Sequence, residues 1–187
     1  MEKDMADAGG CDMNIRSGEQ GKCGDLLIKH FSSLTPYELY EILRTRSEIF
    51  VVEQECAYQD IDGLDIDAVH IFCFNEEGRV EACLRVFMKD EDGECGGDSD
   101  ALDTSNPAAP EVREAAIGRV VTLHHGRGLG GRILHEGVRV ARELFDADKI
   151  TLEAQEYAIG YYQKEGFRVV SDVFMLDGIP HVKMELS

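Results

Sequence analysis

Basic residues are scarce in this chain of 187 residues. It has 19 lysines and arginines against 37 aspartates and glutamates, which gives a formal net charge of −18. A field of that sign repels polyanions, which argues against non-specific binding of DNA, RNA or an anionic membrane. A cationic partner such as an amine remains compatible. We therefore expect no nucleic-acid or membrane partner, and an anionic ligand needs a local positive site.

Long apolar runs and targeting signals are also missing. The first ten residues, MEKDMADAGG, are acidic and contain no apolar segment, so we expect neither a signal peptide nor a transit peptide. No run approaches the ~20 apolar residues of a membrane span. The six cysteines form no CxxC pair and are irregularly spaced, which favours reduced thiols and no bound metal. The expected location is cytoplasmic.

The distribution of apolar residues predicts a single domain with a tail and an insertion. Residues 1–24 carry little periodic apolar signal and predict a flexible N-terminal tail. Residues 25–187 are long enough to bury a sizeable core. Within them, the segment at about 90–112 is predicted to be an acidic surface insertion, because 90–111 holds eight acids and no base.

Secondary-structure signals alternate along the domain. Thr35, Pro36 and Glu38 form a capping box with proline at the first helical position, so a helix should begin there. A hairpin is predicted around Glu77-Gly78, and a final strand pair around Asp177-Gly178. Further strands are predicted at 25–31, 113–123 and 149–155, with helices after Gly128 and before Gly166. This order predicts a mixed sheet with helices, of class α/β or α+β.

The stretch HHGRGLGG (124–131) is the densest cluster of glycine with basic residues in the chain. Backbone N–H groups at a helix N-terminus bind anions, and glycine lets phosphate oxygens approach closely. A tight strand-to-helix turn alone would need one glycine rather than Gly126, Gly128, Gly130 and Gly131. The stretch therefore favours a cradle for a diphosphate.

Two diphosphate ligands remain open on local spacing. Gly126, Gly128 and Gly131 satisfy the dinucleotide pattern G-x-G-x-x-G, and Glu153 lies about where a ribose-binding acid is expected. Fewer than 60 residues follow, however, and a doubly wound sheet needs further strand–helix units. Coenzyme A has a diphosphate that requires the same cradle.

Two motifs resemble the GNAT acyltransferase superfamily. The stretch HGRGLG is similar to its R/Q-x-x-G-x-G/A signature, with His125 in place of arginine or glutamine. AIGYYQKEGF (158–167) is similar to its A-x-x-x-Y-x-K-x-G-F segment. Further stretches resemble the ElaA-type branch: RSEIFVVEQECAYQDIDGLD (46–65), His70, IGRVV (117–121) and DGIPHVKM (177–184). The resemblance implies a mixed central sheet of about 6–7 strands, flanked by about 4 helices, with splayed parallel central strands.

The resemblance implies an enzyme that moves an acetyl group from acetyl-CoA to a primary amine, as a monomer or homodimer. The acceptor stays unspecified, and a non-catalytic CoA-binding sensor or interaction module is the alternative. The residues expected to bind the cofactor are Val120, Val121, Thr122, His125, Gly126, Arg127, Gly128, Leu129, Gly130, Gly131, Gln155 and Tyr162.

Acyl transfer to an amine needs a base for the amine and an acid for the leaving thiolate. Tyr162 matches the family's tyrosine position and is the candidate acid, whereas Tyr161 is expected to pack. The candidate bases are Glu53, His70 and His181. Three arginines in or near apolar runs, Arg46, Arg85 and Arg119, are expected to be partly buried beside Glu53 or Asp62.

Overall fold

The computed structural model describes residues 24–55, 58–89, 112–124, 126 and 128–187. The predicted tail and acidic insertion lie outside these ranges, apart from Gly24 and Val112, and so do His125 and Arg127. The described strands are β1 Leu27–His30, β2 Val69–Phe74, β3 Val80–Met88, β4 Glu114–Thr122, β5 Lys149–Gln155, β6 Arg168–Val169, β7 Phe174–Leu176 and β8 Ile179–Leu186. The described α-helices are α1 Pro36–Arg46, α2 Leu129–Glu143 and α3 Ile159–Gln163.

One mixed sheet contains all eight described strands. Their order is β1-β2-β3-β4-β5-β8-β6, and β7 also pairs with β8. The mixed α/β class is confirmed, although the sheet has eight strands rather than 6–7 and the described helices number three rather than four. The extra strand arises near Ser171, whose hydroxyl oxygen accepts the N–H of Lys183 at 2.8 Å. Because a side chain takes this contact, the predicted penultimate strand is split into β6 and β7.

Helix α1 covers one face of the sheet and begins with the predicted capping box. Thr35 Oγ accepts the N–H of Glu38 at 3.2 Å, and Glu38 Oε2 accepts the N–H of Thr35 at 2.8 Å. The helix is followed directly by a π-helical segment, Ser47–Glu53. Ile42 is buried against Phe72 and Phe74, and the chain after it forms one wall of the cleft described below.

Helix α2 covers the opposite face. Successive residues of β2 point to opposite faces of the sheet. Ile71 and Cys73 pack in the core on the α2 side, whereas Phe72 and Phe74 pack in the core on the α1 side. A strand buried on both faces is typically a nearly continuous apolar run, and VHIFCF is apolar at every position except His70. The sheet is therefore rigidly held from both sides at its centre.

Strands β4 and β5 form the one parallel pair among the described strands. They pair over three residues of each strand, from Glu114 opposite Lys149 to Ala116 opposite Thr151. Beyond that point β4 continues to Thr122 and β5 to Gln155 without pairing with each other, so the two strands part toward their carboxyl ends. The splayed centre expected from the sequence is present.

Candidate active site

A cleft of about 940 Å³ lies where β4 and β5 part. Its walls include the second halves of both strands, the start of α2, helix α3, and the segment that follows α1. Ten of the twelve residues expected to bind the cofactor line it, and the other two are His125 and Arg127. The ten are Val120, Val121, Thr122, Gly126, Gly128, Leu129, Gly130, Gly131, Gln155 and Tyr162.

The glycine stretch forms the mouth of this cleft at the start of α2. Gly126 and Gly128 adopt left-handed backbone angles, with φ of 89° and 72°, which glycine tolerates without strain. Arg132 is the first helical residue whose N–H reaches back, to the carbonyl of Gly128 at 3.2 Å. The N–H groups that precede it are in the first turn of α2, where a helix offers no intrahelical acceptor. A Cβ added at Gly131 would meet nothing within 4 Å, so open space adjoins these donors.

Tyr161 fixes the cradle against α3. Its hydroxyl donates to the carbonyl of Gly130 at 2.6 Å, and a Cβ added at Gly130 would lie 3.3 Å from that oxygen. Burial raises the pKa of Tyr161 to about 12, so the phenol stays protonated and keeps donating. The expectation that Tyr161 packs is consistent with this contact, which also gives the side chain a hydrogen-bonding role.

Tyr162 lines the cleft from the other side of α3. Its side chain is buried, with ring centroids 4.9 Å from Tyr161 and 6.3 Å from Phe167 in edge-on geometry. Burial raises the pKa of the Tyr162 phenol, with smaller contributions from Tyr161 and Tyr157. The hydroxyl therefore remains protonated at neutral pH, which is the state that a proton donor requires.

His181 reaches the cleft from β8, directly opposite Gln155 of β5. Its Nδ1 lies 2.9 Å from the carbonyl oxygen of Ile179. A carbonyl only accepts, so Nδ1 carries a hydrogen, and in the neutral form of the ring the lone pair lies on Nε2. Phe174 stacks on the ring at 6.3 Å. The imidazole is thus held in one orientation and one tautomer, which suits a general base.

The other two candidate bases are placed differently. Glu53 lines the cleft at the end of the π-helical segment and is exposed. Burial, and after it the charge of Glu53, raise the pKa of Tyr157, so these two side chains are neighbours at the cleft. His70 is fully buried and does not line the cleft; its Nε2 contacts the carbonyl of Asp65 at 3.1 Å. The structure therefore does not bring His70 to the reacting groups, because β2 is two strands from β4.

Sequence reasoning missed an amide pair in the cleft. Gln54 and Gln155 exchange side-chain hydrogen bonds, with Nε2 to Oε1 distances of 3.5 Å and 3.2 Å. They connect the segment after α1 to the end of β5, so the amide of Gln155 is engaged here. The two glutamines are 101 residues apart in the chain, so no local sequence pattern could predict their contact.

Three arginines and three aspartates form a connected set, which we name the Arg–Asp network. Arg46 contacts Asp60 at 2.9 Å and Asp65 at 2.7 Å. Its members are Arg46, Arg85, Arg119, Asp60, Asp62 and Asp65.

The expected partner Asp62 does hold two of the arginines. Arg85 donates to both carboxylate oxygens of Asp62, at 2.7 and 2.5 Å, and Arg119 donates to one of them at 2.9 Å. Burial acts to raise the pKa of the Asp62 carboxyl, but Arg85 and then Arg119 outweigh it and hold the pKa at about 2. The sequence analysis did not predict Asp60 and Asp65 as the partners of Arg46. The closely spaced acids at 60, 62 and 65 in DIDGLD are the feature from which such a network could have been predicted.

Two absences apply to the described ranges only. There, no group of three or more His, Cys, Asp or Glu side chains is arranged to hold a metal ion. No helix of that part of the chain is long and apolar enough to cross a bilayer.

Comparisons with known proteins agree with this geometry. A family model described as an acetyltransferase (GNAT) domain matches residues 118–187, which include the cradle, β5, α3 and β8. A UPF0039 protein of Schizosaccharomyces pombe is 32% identical over 167 residues, covering 87% of this chain and 97% of that protein. Protein ElaA of Escherichia coli is 32% identical over 159 residues, covering 83% of this chain and 91% of ElaA.

Solved structures show the same relationship. The crystal structure of an acyl-CoA N-acyltransferase from Pseudomonas aeruginosa is similar with a TM-score of 0.70 and 34% identity, over 87% of this chain and 99% of that one. Escherichia coli ElaA is similar with a TM-score of 0.71 and 28% identity, over the same shares. The fold is that of a GNAT acyltransferase. Within that superfamily, the chain belongs to the family of ElaA and the UPF0039 proteins.

Proposed function

We propose that this protein transfers an acetyl group from acetyl-CoA to a primary amine of a small molecule or protein. The amine attacks directly while both substrates are bound. The observation that carries the proposal is the parting of β4 and β5 beside the glycine cradle at the start of α2. A diphosphate fits the cradle, and an extended arm fits between two splayed strands.

Backbone groups of α2 and β4 hold coenzyme A in this proposal. The first N–H groups of α2 bind the diphosphate, with the positive end of the helix dipole behind them. Backbone groups of Val120 to Thr122 have no partner strand on the β5 side, so they are available to hold the pantetheine arm in a strand-like manner. A backbone N–H at this part of β4 also stabilises the negative charge that develops on the thioester oxygen.

The amine must be neutral before it can attack. A lysine-like amine has a reference pKa of ~10.4, so a base has to remove its proton near neutral pH. His181 is the base that we propose, because its tautomer leaves Nε2 available beside the end of β5. Glu53 is the second candidate, and its exposed carboxylate also favours a cationic acceptor.

The departing thiolate needs a proton, which we assign to Tyr162. A thiol of pKa ~8.5 and an unperturbed tyrosine of ~10 differ by about 1.5 units, or roughly 2 kcal/mol uphill. Burial raises the pKa of Tyr162 further, and each added unit costs about 1.4 kcal/mol. The same burial keeps the donor protonated and excludes competing water.

The experiment is a two-part assay on the purified protein. Calorimetry with acetyl-CoA and with NAD tests the ligand, and we expect binding of acetyl-CoA alone. A panel of amines is then incubated with acetyl-CoA while free thiol is followed. Release that depends on the amine supports the enzyme. Tight NAD binding without a response to acetyl-CoA would overturn the proposal, and CoA binding without release for any amine would favour the sensor alternative.

A further inference from the structure

Arg119 joins two features that line the cleft, a bulge in β4 and the segment 58–65. Its backbone is left-handed, with φ of 54°, at a bulge where β3 and β4 lose register between the pairs Cys83–Val121 and Arg85–Gly118. A non-glycine residue holds such a conformation only where its surroundings enforce it. The bulge lies immediately before Val120, in the part of β4 proposed to face the thioester.

The side chain of Arg119 supplies that enforcement. Its Nε lies 2.8 Å from the carboxylate of Asp60, and its terminal nitrogen lies 3.0 Å from the Asp60 carbonyl and 2.9 Å from Asp62. The guanidinium also lies 5.3 Å above the ring of Tyr58. Tyr58 and Asp62 line the cleft, so the segment 58–65, which we name the acidic loop, is tied to the bulge through one side chain.

Arg119 differs from the other two arginines of the Arg–Asp network. Arg46 and Arg85 have side chains only 1% and 3% exposed, whereas that of Arg119 is 20% exposed. Arg85 and Arg119 both line the cleft. Removing either buried arginine takes a charge partner from Asp65, the most buried of the three carboxylates, which is not among the partners of Arg119 in the described ranges. That loss destabilises the fold.

Removing Arg119 leaves every carboxylate with a partner. Asp60 keeps Arg46 at 2.9 Å and the hydroxyl of Tyr58 at 3.0 Å. Asp62 keeps both contacts with Arg85. Stability alone therefore does not require the third arginine, and its contacts serve the geometry of the cleft instead.

We propose that Arg119 is a positioning residue that fixes the β4 bulge and the acidic loop in register, so that the acceptor meets the thioester in reactive geometry. This inference rests on the proposed acyltransfer. Among the described residues, the side-chain partners of Arg119 are Tyr58, Asp60 and Asp62 rather than the start of α2, so the diphosphate contacts of coenzyme A do not depend on it. Only the contacts of the pantetheine arm with Val120 to Thr122 lie beside the bulge. Its loss misplaces the reacting groups, and misplacement by about 1 Å lowers a rate on the order of 10²-fold.

The test compares Arg119→Gln with Arg119→Lys and a matched control, Arg139→Gln. Arg139 also pairs with two carboxylates, Glu136 and Glu143, but lies on α2 and does not line the cleft. We expect Arg119→Gln to lower kcat on the order of 10²-fold. Its melting temperature should match the parent. Its acetyl-CoA affinity should fall much less than kcat, because the diphosphate contacts at the start of α2 are unaffected. Arg119→Lys should recover part of kcat, because it keeps the charge but lacks the fork that makes several contacts. Arg139→Gln should be unchanged.

Hydrogen exchange of residues 58–68 and 117–122 provides a readout that does not depend on turnover. Faster exchange confined to both segments in Arg119→Gln supports the anchoring role. Three results would overturn the anchoring role of Arg119. They are unchanged exchange, an unchanged kcat, and a loss of activity that only parallels a lower melting temperature. If the parent itself releases no thiol with any amine, the proposed function fails, and the exchange measurement alone decides whether Arg119 fixes the two segments.

Discussion

Nδ1 of His181 lies 2.9 Å from the carbonyl oxygen of Ile179, two residues earlier in the same strand. This contact fixes the tautomer of an imidazole that stands opposite Gln155, at the end of the strand that parts from β4. The same antiparallel pairing of β5 with β8 thus positions both the proposed base and the end of β5. Tyr162 approaches from α3, so the proposed acid and base come from different elements around one cleft.

His181→Gln should remove the proton acceptor while keeping a polar side chain of similar size. If His181 is the base, we expect kcat to fall by about 10²–10⁴-fold, the usual contribution of general base catalysis. Acetyl-CoA affinity should stay within a small factor, because the cradle lies at the start of α2. Steady-state kinetics and calorimetry on the same preparation measure both quantities.

The matched control for that prediction is His135→Gln, at an exposed histidine of α2 that does not line the cleft. It should behave like the parent. If Glu53→Gln loses activity on that scale while His181→Gln does not, the base is the carboxylate of Glu53 and the histidine is a structural residue of β8.

Tyr162→Phe should separate proton donation from packing. The variant keeps the ring that contacts Tyr161 and Phe167, and it loses only the hydroxyl. We expect kcat to fall by about 10²–10⁴-fold with little change in melting temperature. Because burial raises the pKa of Tyr162, the parent should not lose activity from this group until pH exceeds about 10.

Tyr161→Phe is the paired variant, and its effect should be structural. It removes the hydrogen bond to the Gly130 carbonyl, a loss of roughly 0.5–1.5 kcal/mol in unfolding free energy. We expect weaker acetyl-CoA binding through the loosened cradle and a smaller change in kcat. Full activity of Tyr162→Phe across the pH range would show that water protonates the thiolate.

The sequence predicted the fold well where the signal is local. The capping box at Thr35 and the buried strand β2 follow from residues that are neighbours in the chain. The split between β6 and β7 was not predictable, because it depends on Ser171 meeting Lys183 from another strand. The backbone of Arg119 is a similar case, since arginine has no preference for left-handed angles and the aspartates that hold it are 57 and 59 residues away.

The candidate site was predictable to the same extent. The glycine cradle and Tyr162 lie in contiguous motifs, and they line the same cleft. His70 and His181 both stand in apolar strands, so sequence alone could not separate a histidine in the sheet interior from one at the cleft. Their different surroundings depend on strand order, which places β8 beside β5 and leaves β2 two strands from β4.

Asp62→Asn should change how stability depends on pH. The folded pKa of Asp62 is about 2, below the ~3.9 of an unfolded aspartate, so its contribution is present above pH ~4. That contribution is lost as pH falls through about 2. Asp62→Asn removes it, so we expect a smaller decrease in unfolding free energy between pH 4 and pH 2 than in the parent. Denaturant titrations at each pH provide the measurement, and parallel curves for both proteins would contradict the assignment.

Two glycines of α2 should separate ligand binding from packing. A Cβ at Gly131 meets nothing within 4 Å, so Gly131→Ala should keep stability or raise it by up to about 1 kcal/mol. The added methyl enters the cradle, however. Displacing one phosphate oxygen from its donor costs about 1.5–3 kcal/mol, or roughly 10- to 150-fold in acetyl-CoA affinity.

Gly137→Ala should do the opposite, because Gly137 lies in the buried middle of the same helix. Its Cβ would stand 3.2 Å from a methyl carbon of Leu84 and 3.3 Å from one of Ile117. Such overpacking costs about 1–3 kcal/mol, and better helix propensity offsets up to about 1 of this. We expect a lower melting temperature with unchanged acetyl-CoA affinity. If Gly131→Ala instead binds acetyl-CoA like the parent, the diphosphate does not lie against the first turn of α2, and the cradle is only a turn between β4 and the helix.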